Sequence, residues 1–403
     1  MFENFKVRIT YKWVMLIGVW FAYFAFGIVQ GGIPPIIGPV SSDLDLSRSS
    51  MGTILGAWPL VYIVTAIPAG ALIDRFNLKY TIGIGIFLIA VSGLSRVFAD
   101  NYFTMVLSVM IFGIGGPFIS IGAPKLISLW FPENLRGRAM GIYLTAPAFG
   151  RVLVLSITNS VLMPLFNSNW RLTLLVYALV AFFITFIWGI LSRENDCDQN
   201  DIESKNLLKS MKTFPELISI GQVRMILFIV LGMFLFNHGT NNWIPEILID
   251  LGNTDSTAGF LSAIPVVTGA LGSIVLPQYI KKQNYQIVLL ICFFVAGLST
   301  LGVLFFDDLF LYLILAILGF TSRSIMPIIM LILISSVGSK KTGAAGGLYF
   351  TFGEIGGVLG PVLLGVSADV FNGFNVGLFL FSAICFLLGL FSLKINYMKI
   401  ASD

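Results

Sequence analysis

Charge is scarce in this chain: of 403 residues only 11% are Asp, Glu, Lys or Arg, whereas a soluble domain carries about 25%. A folded chain so poor in charge has an outer surface suited to lipid rather than water. The net charge of +4 leaves no broad basic face, so nucleic acid is not an expected partner. Histidine is almost missing, with His238 alone, which excludes histidine-rich metal sites and the usual catalytic triads. Cys197, Cys292 and Cys385 stand far apart and suit neither a disulfide framework nor a metal site. No nucleophile–base pair, nucleotide loop or metal cluster can be assembled. The expectation is therefore a protein that is not an enzyme and holds no cofactor and no metal. A cleavable leader is also not evident. Lys6, Arg8 and Lys12 lead into a long apolar run without a small-residue cleavage site, so that run reads as the first helix.

Long apolar runs are what the sequence has in abundance. A helix crossing the hydrocarbon needs about 20 mostly apolar residues. Twelve segments qualify, at 13–38, 49–72, 78–98, 102–130, 137–163, 170–192, 223–248, 256–279, 285–305, 308–336, 342–367 and 374–394. Most connections are short. The exception is the polar, charged stretch 193–222, which divides the chain into six helices plus six. The expected fold is an all-α membrane protein with two pseudo-symmetric six-helix bundles, 1–192 and 223–403, joined by a cytoplasmic linker at 193–222.

Orientation follows from the excess of Lys and Arg in cytoplasmic loops. With both termini in the cytoplasm, Lys6, Arg8, Lys12, Arg75, Lys79, Arg136, Arg138 and the bases of the later even-numbered loops lie inside. Only Arg48, Arg96 and Arg171 lie outside. Three cations, Lys125, Arg151 and Arg323, fall within helices. The compact length and short outer loops point to a bacterial or archaeal cell membrane, crossed many times, and a monomer is expected.

The halves are related. One common offset carries Gly137, Ala139, Gly141, Tyr143, Thr145, Gly150, Val152 and Leu153 onto Gly343, Ala345, Gly347, Tyr349, Thr351, Gly356, Val358 and Leu359. The same offset carries Leu55, Ala57, Pro59 and Val61 onto Leu261, Ala263, Pro265 and Val267. Parallel repeats of six helices are a transporter architecture, in which the halves rock around a central site.

The loop after the second helix reads Gly70-Ala-Leu-Ile-Asp74-Arg75-Phe76-Asn77-Leu78-Lys79. It resembles the signature loop of the major facilitator superfamily, G-x-x-x-D-R-x-G-R-K. Asn77 stands where glycine is usual and Leu78 where a base is usual. The resemblance implies the major facilitator fold. It also implies a conformational role for Asp74 and Arg75, which would tie helix 2 to helix 11 when the cytoplasmic side is closed; an ordinary tight turn is the plainer reading. Within the superfamily, Asn237-His238-Gly239-Thr240-Asn241-Asn242-Trp243-Ile244-Pro245 is similar to the N-H-G-x-N-W-x-P stretch of the cyanate-permease branch of small-anion porters. The glycine-rich nitrate signature is not clean here. The early helix-4 arginine of proton-driven drug exporters is absent.

Charges at depth are costly, about 2.5–3.5 kcal/mol each on insertion scales, and are functional candidates by default. Counting 1.5 Å per residue puts Arg151, Arg323 and Glu354 near the midplane. Two arginines against one carboxylate leave a net positive centre that a small anionic solute would neutralise, and arginine's planar fork suits a carboxylate or oxyanion. A buried Arg–Glu ion pair is the structural alternative. Lys125 lies near the cytoplasmic end of helix 4. It either contacts the anion or snorkels to the interface. Glu354 reads as a partner of Arg151 or Arg323, as a proton carrier, or as a tolerated neutral acid; desolvation and a nearby cation act on it in opposite senses.

In helix 7, Asn237 and Asn241 share one face and His238 and Asn242 the next. These side chains either meet the substrate or fix helix packing. Tyr143 and Tyr349 are candidate hydrogen-bond donors to an anion, though aromatics in membrane helices more often pack. The function these features favour is a secondary active transporter of a small anion, an organic carboxylate or a cyanate-like ion. It would work by alternating access within a lipid bilayer, as an exchanger against a counter-anion or a symporter with protons. An exporter of a hydrophobic or cationic compound is the runner-up. A receptor that binds a solute without moving it is the other class, disfavoured by termini too short for a signalling domain.

Overall fold

The computed structural model describes residues 2–193, 214–337 and 341–395. Twelve helices among them are long and apolar enough to cross a membrane: α1 (Tyr11–Leu44), α2 (Arg48–Arg75), α3 (Leu78–Val97), α4 (Tyr102–Trp130), α5 (Glu133–Leu165), α6 (Trp170–Leu191), α7 (Gly221–Asp250), α8 (Asp255–Tyr279), α9 (Tyr285–Gly302), α10 (Asp308–Val337), α11 (Thr342–Val370) and α12 (Asn375–Ser392). The chain is a multi-pass membrane protein, with its spans where the apolar runs place them. Most of the expected linker, with Cys197, Lys205, Lys209 and Lys212, lies outside the described residues, as do Lys340 and Lys399.

Two spans are interrupted. Helix α1 breaks after Gly31 because Pro34 and Pro35 carry no N–H to continue the ladder; a 3-10 turn spans Pro34–Ile36 before the helix resumes at Ile37. Carbonyls left near the break are met by side chains. Arg96 Nη1 donates to Val29 O at 2.7 Å, and Asn159 Nδ2 donates to Pro35 O at 2.8 Å. Helix α5 widens into a π segment over Thr158–Leu162, where the Thr158 and Tyr177 hydroxyls lie 2.6 Å apart.

The chain forms two compact units, one of Met1–Val40 with Val64–Lys205, the other of Ser41–Ile63 with Asn206–Asp403. In the first, α1 packs on α5 and α3 packs on α4 and α6; in the second, α7 packs on α11, α8 on α10 and α9 on α12. The repeat is visible in how backbones approach. A Cβ on Gly150 would lie 2.5 Å from Phe24 O, across the α1–α5 contact. A Cβ on Gly356 would collide with Leu231 O across the α7–α11 contact, and one on Gly360 with Leu235 O. Lipid gives helices no hydrophobic reason to associate, so glycines that admit close van der Waals contact carry the packing.

Helix α2 is shared between the units, where the sequence alone places all of it in the first. Asp369, near the end of α11, accepts from Arg48 N at 3.0 Å, Ser49 N at 2.7 Å and Ser49 Oγ at 2.5 Å. It thus caps the start of α2 as a local Asp would, with its charge on the positive end of the helix dipole. Arg48 adds an ion pair to Asp250 at 2.9 Å and lies over the Phe374 ring. Gly52 and Gly56 approach Pro361 O and Val358 O. Past Ile63 the contacts change: Thr65 Oγ1 donates to Gly113 O on α4 at 2.9 Å.

Gly356→Ala is expected to lower stability by about 1–3 kcal/mol, as overpacking does. Gly343→Ala, at a glycine with nothing within 4 Å of the added methyl, should leave it unchanged or slightly raised; thermal unfolding of the two purified variants in one detergent reads the difference.

Candidate functional site

Arg323 sits in the middle of α10, half-buried. Its stem passes Gly269 of α8, where an added Cβ would lie 2.6 Å from the arginine Cγ. One turn earlier on α10, Gly319 brings the backbone of α8 close at Pro265. The two glycines together let α10 approach α8 while the guanidinium still extends. Among the described residues no hydrogen bond or ion pair engages that guanidinium. Arg151 is placed differently. It is buried in α5 of the first unit, with its Cγ against Gly31 at the break of α1.

The other sequence candidates find protein partners. Lys125 donates to Asp74 Oδ1 and to Ile73 O, each at 3.0 Å, so it fastens α4 to the end of α2. That contact sets a carboxylate against its charge. The same ion pair occupies Asp74 within its own unit, and Arg75 lies over the Phe76 ring. The two repeat-related phenols are also taken. Tyr143 donates to Ile119 O at 3.3 Å and Tyr349 to Met326 O at 3.1 Å, both in buried positions. The contact repeats in the two units, with the hydroxyl bonding a carbonyl of the neighbouring helix each time.

In α7 the amides bond backward along their own helix. Asn237 Nδ2 donates to Met233 O at 3.0 Å and Asn241 Nδ2 to Asn237 O at 2.6 Å. Thr240 does the same toward Phe236 O. Such bonds satisfy side-chain donors in lipid without needing a ligand. Asn237 Oδ1 is buried without a hydrogen bond among the described residues. His238 is turned to α11, its Nε2 3.9 Å from Glu354 Oε2. Within the second unit the basic side chain beside Glu354 Oε2 is thus His238.

One buried cation was not apparent from the sequence. Arg96 is 2% exposed, although the count of loop charges assigns it to the outer side. Besides Val29 O it donates to Ser92 Oγ at 3.2 Å and lies over the Phe112 ring. Ser92 and Arg96 stand one helical turn apart, which is the local signal; the Val29 carbonyl is a tertiary partner no spacing reveals. Arg96 secures the broken end of α1 as a cation at a helix C-terminus.

Tyr349→Phe removes the hydroxyl that donates to Met326 O and leaves that carbonyl its bond within α10 alone. It is expected to cost about 0.5–1.5 kcal/mol of stability, read as a lowered unfolding temperature, and Tyr143→Phe should behave alike.

Known proteins place this geometry in a family. The sequence profile of the Major Facilitator Superfamily matches residues 19–361 and again 226–398. The chain is 22% identical over 378 residues to the probable galactarate/D-glucarate transporter of Bacillus subtilis, covering 83% of this chain and 81% of the relative. It is 21% identical to the hexuronate transporter of the same organism, with 83% of each chain covered. A solved bacterial homologue of the human lysosomal transporter Spinster superposes with a TM-score of 0.75 at 15% identity, over 97% of both chains, a likeness of fold. With a profile match across most of its length, twelve spans and two glycine-packed repeats, the chain belongs to the Major Facilitator Superfamily.

Proposed function

We propose that this protein is a secondary active transporter that moves a small organic anion by alternating access, with Arg323 as the principal contact of the anion. The observation that carries the reading is the state of Arg323. A guanidinium within a membrane span costs several kcal/mol unless something answers its charge. Lys125 and Arg96 are both answered by protein oxygens. Among the described residues nothing answers Arg323, and a bidentate carboxylate fits its fork. Arg151, in the first unit, is the second candidate for contact with solute.

The relatives narrow the solute. Those named above are a probable galactarate/D-glucarate transporter and a hexuronate transporter, and the solutes in those names are polyhydroxy carboxylates. That chemistry favours an organic carboxylate over a cyanate-like ion for this chain. The hydroxyls of such a solute would need amide and hydroxyl partners, and the α7 turn around Asn237 and Asn241 offers them, beginning with Asn237 Oδ1. The protein would work as a monomer in the cell membrane with both termini in the cytoplasm, driven by protons or by a counter-anion. Asp74 and Arg75 would act conformationally, with Lys125 holding Asp74 in this structure.

Uptake of radiolabelled aldarates and hexuronates into proteoliposomes tests the reading. Wild type should accumulate at least one of them. Arg323→Ala should lose about 10- to 100-fold in uptake efficiency, the worth of a charge-assisted hydrogen bond or two, and Arg323→Lys should recover only part, since a point charge lacks the fork. Arg323→Ala that transports like wild type would instead favour export of a hydrophobic or cationic compound.

A further inference from the structure

The α7–α11 contact brings an imidazole and a carboxyl group together. His238 Nε2 and Glu354 Oε2 lie 3.9 Å apart, close enough for charge to matter and too long for a hydrogen bond. Glu354 is 6% exposed, and its Oε2 is buried without a hydrogen bond among the described residues. The imidazole is walled by aromatic rings. Phe234 stacks on it at 5.7 Å with planes 15° apart, and Trp58 lies at 5.6 Å. The space is provided by Gly357, where a Cβ would lie 2.7 Å from Glu354 Oε2 and 3.2 Å from His238 Nδ1. A carboxylate this enclosed is tolerated beside an imidazolium or as a neutral acid, and poorly otherwise. The number of protons held by the two side chains therefore governs their charge.

The repeat sharpens the point. In the first unit Gly150 abuts Phe24 O; one residue further on α5 is Arg151, and two turns further on α1 is the Gly31 it packs against. In the second unit Gly356 abuts Leu231 O; one residue further on α11 is Gly357, and two turns further on α7 is the His238 it packs against. Each unit thus puts one cationic side chain against one glycine at the same place, from opposite helices of the pair. Arginine stays charged there. Histidine is the side chain whose charge changes at physiological pH, and here it has the Glu354 carboxyl group beside it.

We propose that His238 and Glu354 form a proton-binding site, taking up and releasing one proton per transport cycle and so coupling solute movement to a proton gradient. This rests on the transport reading but not on the identity of the anion. The pair holds the proton as imidazolium–carboxylate or as imidazole–carboxylic acid, and release leaves a neutral imidazole beside a carboxylate. Other ionisable side chains in the middle of the packed helices are Tyr62 of α2, Arg323 of α10, Tyr349 of α11 and Cys385 of α12; the remaining charges there lie at or near helix ends. The Tyr349 hydroxyl is held by Met326 O. Arg323 is a fixed cation, so an anion arriving at it changes the field on the pair, which is the physical route to coupling.

Because His238 is the only histidine, histidine-selective 15N labelling of protein bearing a histidine-free tag gives one imidazole to follow in nanodiscs. Between about pH 5 and 8 the wild-type imidazole should change protonation, and Glu354→Gln should move the midpoint by at least about one pH unit. In proteoliposomes, His238→Gln and Glu354→Gln should each reduce the ratio of gradient-driven accumulation to solute exchange about ten-fold or more. An imidazole that keeps one state across the range, or a Glu354→Gln protein that concentrates solute on a pH gradient as wild type does, would overturn the proposal. A wild type that exchanges no sugar acid contradicts the anion reading instead; the imidazole titration needs no solute and judges the pair regardless.

Discussion

A charge or an unanswered hydrogen-bonding group inside hydrocarbon is expensive, and nearly every polar feature of this protein is arranged around that fact. Arg96 is answered by Val29 O and Ser92, Lys125 by Asp74 and Ile73 O, the two phenols by carbonyls, and the α7 amides by their own helix. Against that background an arginine with no protein partner among the described residues carries information. In the proposed function that cost is met by the solute, since a carboxylate suits the planar fork of Arg323.

The packing follows from the same solvent. Lipid tails are as apolar as leucine, so the helices are held by close approach, and glycines at α1–α5 and α7–α11 set it. The two units use these contacts alike up to Gly150 and Gly356. One residue later they diverge, with Arg151 in one and Gly357 in the other. A duplicated scaffold has thus kept its packing while its chemistry separated into a permanent cation and a titratable pair.

The spans were legible because apolar runs of the needed length leave little choice, and the repeat because glycines and tyrosines recur under one offset. Arg151, Arg323 and Glu354 were legible as rare charges at depth. What the sequence could not show was who meets whom. Lys125 with Asp74, Glu354 with His238, and Asp369 at the start of α2 join positions remote along the chain, and no spacing rule connects them. Arg96 lies at the end of the expected 78–98 span, and a loop count treats such an end as wet, whereas Val29 of α1 and Phe112 of α4 cover it. The division of α2 between the units was hidden for the same reason, since Gly52 and Gly56 read only as small residues until Pro361 and Val358 are beside them.

The most direct test of the central claim is a ligand-bound structure, determined with a sugar acid that the protein transports. The account predicts a carboxylate of that solute within about 2.7–2.9 Å of the Arg323 guanidinium nitrogens. A well-defined solute whose carboxylates bond other groups, leaving Arg323 without it, would contradict the account and make the arginine a structural residue.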